Sequence, residues 1–320
     1  MAYSEAVLYR AKARLAQAKQ AREDEDSRRI DGIYEQYPRL RAIDRLLKAT
    51  MVKVVAASFQ GGDPRAAVEA ATQENLALQE ERSWILQAAE LEEADLESHP
   101  ICTDCGGSGY VGERMCECLK ELCRQEQKKE LSSLLGGRET FEGFSLQYYS
   151  ETPDPDFGVS PRQMMRRIFD RCLSYARDFS VGASSLLFTG GPGLGKTYLS
   201  ACIARAVAER GYSVVYDTAG KMFSDFEAAK FGGEGDATAK YLACDLLIID
   251  DLGTEMVTQF TQSALYQVIN TRLMEGRATI VSTNLGKTDI ERRYLPAIAS
   301  RLLGTYDVMP FLGDDIRMKR

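Results

Sequence analysis

Residues 190–197 read Gly190-Gly191-Pro192-Gly193-Leu194-Gly195-Lys196-Thr197, between the apolar run Ser185-Leu186-Leu187-Phe188-Thr189 and the helix-prone stretch Tyr198 to Arg210. A strand, a glycine-rich turn and a helix in this order match the phosphate-binding pattern G-x-x-x-x-G-K-[ST] in the context that gives it meaning. The glycines let backbone N–H groups turn inward and approach phosphate oxygens with no Cβ in the way. Lys196 is then placed to reach the β- and γ-phosphates, and the Thr197 hydroxyl to ligate Mg²⁺. The dipole of the helix that starts here adds to the attraction. The plainer reading, a glycine turn with no ligand, is disfavoured by the strand before it and the helix after it. The stretch predicts a nucleoside triphosphate site.

Further along, Leu246-Leu247-Ile248-Ile249-Asp250-Asp251 is an apolar strand ending in two carboxylates. In P-loop proteins such a strand runs beside the phosphate loop, so its acids meet the Mg²⁺–triphosphate. Asp250 is the candidate for holding Mg²⁺ through water, and Asp251 for polarising the attacking water. Without the upstream loop, two Asp after an apolar run would read as a strand leaving the core. The strand Ala278 to Thr283 ends in Asn284, whose amide is placed to orient the lytic water or touch the γ-phosphate; a turn role is the alternative. Arg301, in Ala299-Ser300-Arg301-Leu302, is either a surface charge or a finger reaching a neighbouring subunit's nucleotide.

Apolar strands at 184–189, 212–216, 245–250 and 278–283 alternate with helices near 196–210, 218–230 and 259–275. That alternation predicts an α/β fold, a parallel sheet with helices on both faces. Residues 1–98 are charged, glycine-poor and helix-prone. Apolar residues recur at helical spacing in Ala42, Leu46, Leu47, Met51 and Val54, and again in Leu76, Leu78, Trp84, Ile85 and Leu91. Gly61-Gly62-Asp63-Pro64 separates the two stripes, with Asp63 and Pro64 placed as cap and first helical residue. Two or three antiparallel helices are expected there, either a solvated bundle or an arm for docking a protein partner. A basic–acidic helix from about Arg124 to Leu135 precedes Gly136-Gly137, and the alternation of strands with helices begins near Thr140. The expected domains are therefore 1–98, 99–139 and 140–320.

At 320 residues and 44% hydrophobic composition the chain can bury a sizeable core. A net charge of −7 argues against a basic coat for tight autonomous DNA binding, though not against a local basic path or DNA contact within an assembly. No apolar run reaches the roughly 18 residues that span a bilayer, and the N-terminus lacks the core of a secretory signal. The expectation is a cytoplasmic protein whose eight cysteines are thiols or metal ligands.

Cys102-x-x-Cys105 and Cys116-x-Cys118 flank a span containing Gly106, Gly107 and Gly109. Each pair presents two thiolates from one turn, and the glycines let the backbone fold back to close a tetrahedron. Zn²⁺ suits such soft ligands best. Cys123 and His99 are within reach as substitutes for one ligand, and a glycine loop with free thiols is the alternative. Nothing suggests an open coordination position, so the metal is expected to be structural. Cys172, Cys202 and Cys244 read as core thiols.

The order P-loop, Leu246 to Gly253, Ser282 to Leu285 and Ser300 to Gly304 resembles the AAA+ ATPases. Within them it is most similar to the bacterial DnaC/DnaI-type helicase loaders and the related IstB-type transposition helper ATPases. The resemblance covers about residues 140–320, including Phe141-Glu142-Gly143-Phe144, which in such proteins borders the adenine. The cysteine segment resembles the zinc-bearing modules of loader-like proteins. The resemblance implies ATP as nucleotide, Lys196 and Thr197 as Walker A, Asp250 and Asp251 as Walker B, Asn284 as sensor 1 and Arg301 as arginine finger. Glu is usual in AAA+ proteins where Asp251 stands. The implied function is ATP-dependent loading of a replicative DNA helicase, with ATP as an assembly switch, a homo-oligomer joined through ATP interfaces, and weak single-stranded DNA contact. Transposition helper and, from another class, metabolic P-loop kinase are the alternatives. Between Thr218 and Tyr241, Lys221, Lys230, Lys240, Phe223, Phe226 and Phe231 suit either base stacking and phosphate neutralisation or a packed helix with a solvated face.

Overall fold

The computed structural model describes residues 3–59, 64–136, 139–230 and 238–319. The chain packs as two compact units, one formed by Ala13–Cys116 and one by Met1–Lys12 together with Glu117–Arg320.

The first unit is built on helices. α1 (Glu5–Gln36) enters it from the other unit, and α2 (Pro38–Phe59) and α3 (Pro64–Ala88) follow. α2 and α3 are antiparallel: Arg39 near the start of α2 meets Glu81 near the end of α3 at 2.7 Å, and Arg82 meets Asp44 at 2.6 Å. The apolar stripes agree with the sequence expectation at Leu78 and depart from it at Leu46, Leu76 and Trp84. Leu40, Ile43, Leu78 and Leu86 are buried, whereas Leu46, Leu76 and Trp84 are exposed. The side chains of Met51 and Val54, and residues Gly61, Gly62 and Asp63, lie outside the described residues. The unit ends in a short antiparallel pair, β1 (Tyr110–Val111) and β2 (Arg114–Met115).

The second unit is the expected α/β layer structure. Its elements run α4 (Glu117–Leu135), α5 (Pro161–Asp178), β3 (Leu186–Thr189), α6 (Lys196–Glu209), β4 (Val214–Thr218), α7 (Ala219–Lys230), α8 (Ala239–Ala243), β5 (Leu246–Leu252), α9 (Gln259–Met274), β6 (Ala278–Thr283), α10 (Lys287–Arg293), α11 (Pro296–Gly304) and β7 (Asp307–Pro310). The five strands pair in parallel in the order β4-β5-β6-β3-β7. Strands buried on both faces need continuous apolar runs, which is why these segments lack polar alternation. The two-residue period sends Leu186, Phe188, Leu246 and Ile248 into one core with α5 and α6. Leu187, Leu247, Ile249 and Val281 enter the other, with α7, α9 and α11.

The alternation does not predict α5 or β7, and α4 starts seven residues before its expected beginning at Arg124. Ser160 caps α5 by accepting from the Gln163 amide, with Pro161 in the first turn. α4 covers the exposed edge of β4: the Gln127 side chain accepts from Val214 N at 2.9 Å and donates to Tyr212 O at 2.9 Å. Arg272 on α9 is fully buried and donates to the carbonyls of Tyr241, Cys244 and Ala278 and to the Thr279 hydroxyl. It ties α8, the start of β5 and β6 to one helix. Cys172, Cys202 and Cys244 are buried, as expected, and none of the eight cysteines is in a disulfide.

Candidate functional site

The phosphate loop joins β3 to α6 at the C-terminal end of the sheet, where β5 and β6 also deliver their last residues. Its Gly190 and Gly193 hold a positive φ that other residues rarely adopt. A Cβ on Gly190 (φ +133°) would lie 2.3 Å from the Phe311 carbonyl oxygen, and one on Gly193 (φ +69°) 1.7 Å from an Asp315 carboxylate oxygen. β7 and the segment after it therefore press directly on the loop, and the Ile316 amide donates to Gly193 O at 3.1 Å.

A cavity of about 410 Å³ opens over the loop, lined from Pro192 to Tyr198 and by Glu139, Asp251, Asn284, Ile316 and Arg317. Lys196 is buried at its floor and donates to Gly190 O (2.7 Å), Gly191 O (2.6 Å) and the Asn284 side-chain oxygen (2.8 Å). Burial lowers its pKa to about 8, against the pull of Asp251 and Asp250. These three acceptors hold the ammonium where phosphate oxygens can replace them.

Asp250 is buried and accepts from three hydroxyls: Tyr216 at 2.8 Å, Thr197 at 3.3 Å, and Ser282. The Thr197 and Asp250 oxygens are separated by close to one edge of an Mg²⁺ octahedron, about 3.0 Å for metal–oxygen bonds near 2.1 Å. The residues present therefore fit Mg²⁺, with Thr197 and Asp250 as the holders. Asp251 follows in a left-handed conformation (φ +54°), where the β5–β6 register shifts between Ile249 and Leu252. The shift turns its carboxyl from the sheet toward the cavity, and its amide donates to the Ser282 hydroxyl at 3.0 Å. Burial, then the neighbouring Asp250 carboxylate, raises the Asp251 pKa above the usual carboxylate range. A raised pKa suits a group that accepts a proton from water.

Phe144 stacks on Phe169 at 5.4 Å between centroids and lies against Gly195, while the Tyr198 hydroxyl donates to Thr140 O at 3.0 Å. The 140–144 entry thus borders the start of α6. Arg301 is elsewhere. It lies on α11, outside the cavity, held by Tyr266 and Asn270 of α9.

Two partners of Asp250 were not read from the sequence. Tyr216 and Ser282 reach Asp250 only because β4 and β6 flank β5, with Thr218 opposite Asp250 in register. Ile316 and Arg317 close one wall. In the other direction, Phe223 and Phe226 are core residues, unable to stack on bases. Lys221 pairs with Asp225, Lys240 bonds Asp217 at 2.9 Å, and Lys230 lies over the Phe260 ring at 5.2 Å. Phe231 lies outside the described residues.

The sulfur atoms of Cys102, Cys105, Cys116 and Cys118 all lie within 4.8 Å of one another. Cys102 and Cys116 are 3.7 Å apart, the edge of a zinc–thiolate tetrahedron being about 3.8 Å for bonds of 2.3 Å. Gly106, Gly107, Gly109 and Gly112 are all left-handed, and the Gly109 amide donates to the Cys105 sulfur at 3.3 Å. This donor set fits Zn²⁺. Cys123 is buried on α4 and outside the cluster, and His99 is engaged by Asp26 and Arg29. No helix of the described residues is long and apolar enough to cross a membrane.

The sequence profile of the IstB-like ATP binding proteins matches residues 154–320. The replicative helicase loader DnaC of Buchnera aphidicola subsp. Schizaphis graminum is 24% identical over 174 residues, 52% of this chain and 67% of that protein. DnaC of Escherichia coli K12 is 29% identical over 118 residues, 36% of this chain and 48% of that protein. AMPPCP-bound DnaA from Aquifex aeolicus is similar at a TM-score of 0.46 and 21% identity, over 58% of this chain and 54% of that one. The chain thus spans between about half and two thirds of these relatives' lengths. The profile covers just over half of the chain, and the phosphate loop, the paired aspartates and Asn284 all lie within it. The chain belongs to the IstB-like ATP binding protein family and is related to the DnaC-type AAA+ ATPases.

Proposed function

We propose that this protein is a cytoplasmic, ATP-dependent loader that binds a replicative DNA helicase and places it on DNA. The observation that carries the reading is the assembled nucleotide site, with Lys196, Thr197, Asp250, Asp251 and Asn284 at one end of a sheet whose sequence relatives are helicase loaders. Lys196 exchanges its carbonyl partners for the β- and γ-phosphates. Asp251 takes a proton from the attacking water, and Asn284 orients that water. Arg301, which does not reach its own cavity, serves the nucleotide of an adjacent copy, so that ATP joins subunits into a homo-oligomer and hydrolysis releases them. Residues 1–98 dock the helicase, residues 99–139 carry a structural zinc, residues 140–320 are the ATPase, and single-stranded DNA is contacted weakly within the assembly.

The test is reconstitution with the replicative helicase of the same cell or phage. ATP-dependent co-elution, and transfer of helicase to a single-stranded circle that is lost in Lys196→Ala, are the expected results. Absence of any helicase complex overturns the loader reading. The family profile favours one second reading, a transposition helper. A complex with a transposase in place of the helicase would establish it.

A further inference from the structure

Most arginines of this chain with ordered partners meet acids: Arg39 meets Glu81, Arg82 meets Asp44, and Arg171 meets Asp307. Arg301 is held as firmly, but by neutral groups. The Asn270 side-chain oxygen accepts from both Nε (3.0 Å) and Nη2 (2.7 Å), clamping one edge of the guanidinium. The Tyr266 hydroxyl accepts from Nη2 at 3.3 Å, the Ala297 carbonyl accepts from Nη1 at 2.9 Å, and the Tyr266 ring lies 4.8 Å from the guanidinium carbon. Tyr266 and Asn270 are one turn apart on α9, so a single helix face forms the seat.

Two consequences follow from this chemistry. The side chain loses its rotamer freedom before any ligand arrives, which removes an ordering cost from anion binding. Among the described residues no acid pairs with it, and the amide, phenol and carbonyl oxygens that hold it carry no net charge. A guanidinium that is fixed, partly exposed and uncompensated is preset for an anion.

We propose that Asn270 and Tyr266 are positioning residues that preset Arg301 for the triphosphate of a second copy of this chain. This rests on the reading of Arg301 as a finger acting between subunits. The cation reaches the phosphoryl group only in the geometry that α9 imposes, so loosening the seat slows turnover without weakening ATP binding.

The experiment compares the full-length wild type with Arg301→Ala, Asn270→Ala, Tyr266→Phe and the double variant Asn270→Ala/Arg301→Ala. ATP turnover, ATP affinity, thermal midpoint and self-association with a non-hydrolysable ATP analogue are measured for each. Arg301→Ala is expected to lose about a thousandfold in turnover. Asn270→Ala should lose about ten- to a hundredfold, as expected for a misplaced group, with ATP affinity unchanged. Tyr266→Phe, which keeps the ring, should lose less than Asn270→Ala. In the Arg301→Ala background Asn270→Ala should cost nothing further, a non-additivity that a merely structural role would not produce. Turnover of Asn270→Ala within twofold of wild type, beside a crippled Arg301→Ala, overturns the seat and leaves the finger standing. Additive losses in the double variant also overturn the seat. Wild-type turnover in Arg301→Ala, or a wild type that neither hydrolyses ATP nor self-associates with the analogue, overturns the finger and its seat together.

Discussion

The nucleotide site and the cysteine cluster both hold ligand atoms at fixed spacing, and they do so by opposite means. Lys196, Thr197, Asp250, Asp251 and Asn284 stand at the ends of elements whose stability comes from two apolar layers on a five-stranded sheet. Between residues 99 and 118, by contrast, Cys116 is the only buried apolar side chain, and four left-handed glycines carry the turns. In the first region the ligand atoms rest on a scaffold. In the second they are the scaffold. Removing one group should therefore abolish chemistry in the first and local structure in the second.

The largest expected effect is on hydrolysis. Asp250→Asn should reduce ATP turnover by about a thousandfold, because the carboxylate that faces the metal position is lost. Nucleotide binding and the thermal midpoint should change little, the midpoint by less than ~4 °C. A collapse of stability in this variant would break the contrast between the two regions.

The cysteine cluster should respond in the other sense. Cys102→Ser or Cys116→Ser should abolish a stoichiometry of one zinc per chain, measured by elemental analysis, since metal binding and local folding are one equilibrium in so small a module. Hydrogen exchange should then show lost protection around residues 101–118 and unchanged protection in β3, β5 and β6. Protein purified without chelator and free of zinc would refute the metal assignment.

Arg272 sharpens the comparison from within the ATPase unit, because it supports the scaffold and touches no ligand position. Arg272→Met leaves the carbonyls of Tyr241, Cys244 and Ala278 buried without their donor. Urea unfolding should report a loss of about 3–5 kcal/mol, with ATP affinity retained at temperatures where the variant is folded.

The smallest effect concerns pH. In the empty site Lys196 titrates near 8, held down by burial. Bound phosphate favours the ammonium, so binding takes up a proton once the free lysine is neutral. ATP affinity should be level below pH 8 and fall above it by up to about tenfold per pH unit. In Lys196→Arg, where the cation does not titrate in this range, whatever affinity remains should be level across it.

Much of the fold was legible because parallel strands buried on both faces are written as unbroken apolar runs such as Leu246 to Ile249. The phosphate loop was legible because few other structures demand glycines and a lysine at that spacing. Tyr216 was not, since Val214 to Thr218 reads as an ordinary strand until its register against β5 brings its hydroxyl to Asp250. Phe223 and Phe226 could not be told from an aromatic binding face, because a helix packed on a sheet and one facing a nucleic acid carry the same spacing. Leu46 and Trp84 illustrate the same ambiguity in the arm: they repeat at helical period yet are exposed, while Leu40, Ile43, Leu78 and Leu86 are buried. Periodicity fixes which residues share a face and leaves open which face is covered.

The most direct test of the account is a titration of ATP and Mg²⁺ into the full chain, its Lys196→Ala variant and its Cys102→Ser variant, read by calorimetry. One ATP per chain in the wild type, none in Lys196→Ala and an unchanged affinity in Cys102→Ser would agree with a nucleotide site carried on an independent scaffold. Equal binding by wild type and Lys196→Ala would contradict the site. Loss of binding in Cys102→Ser would contradict its independence from the cysteine cluster.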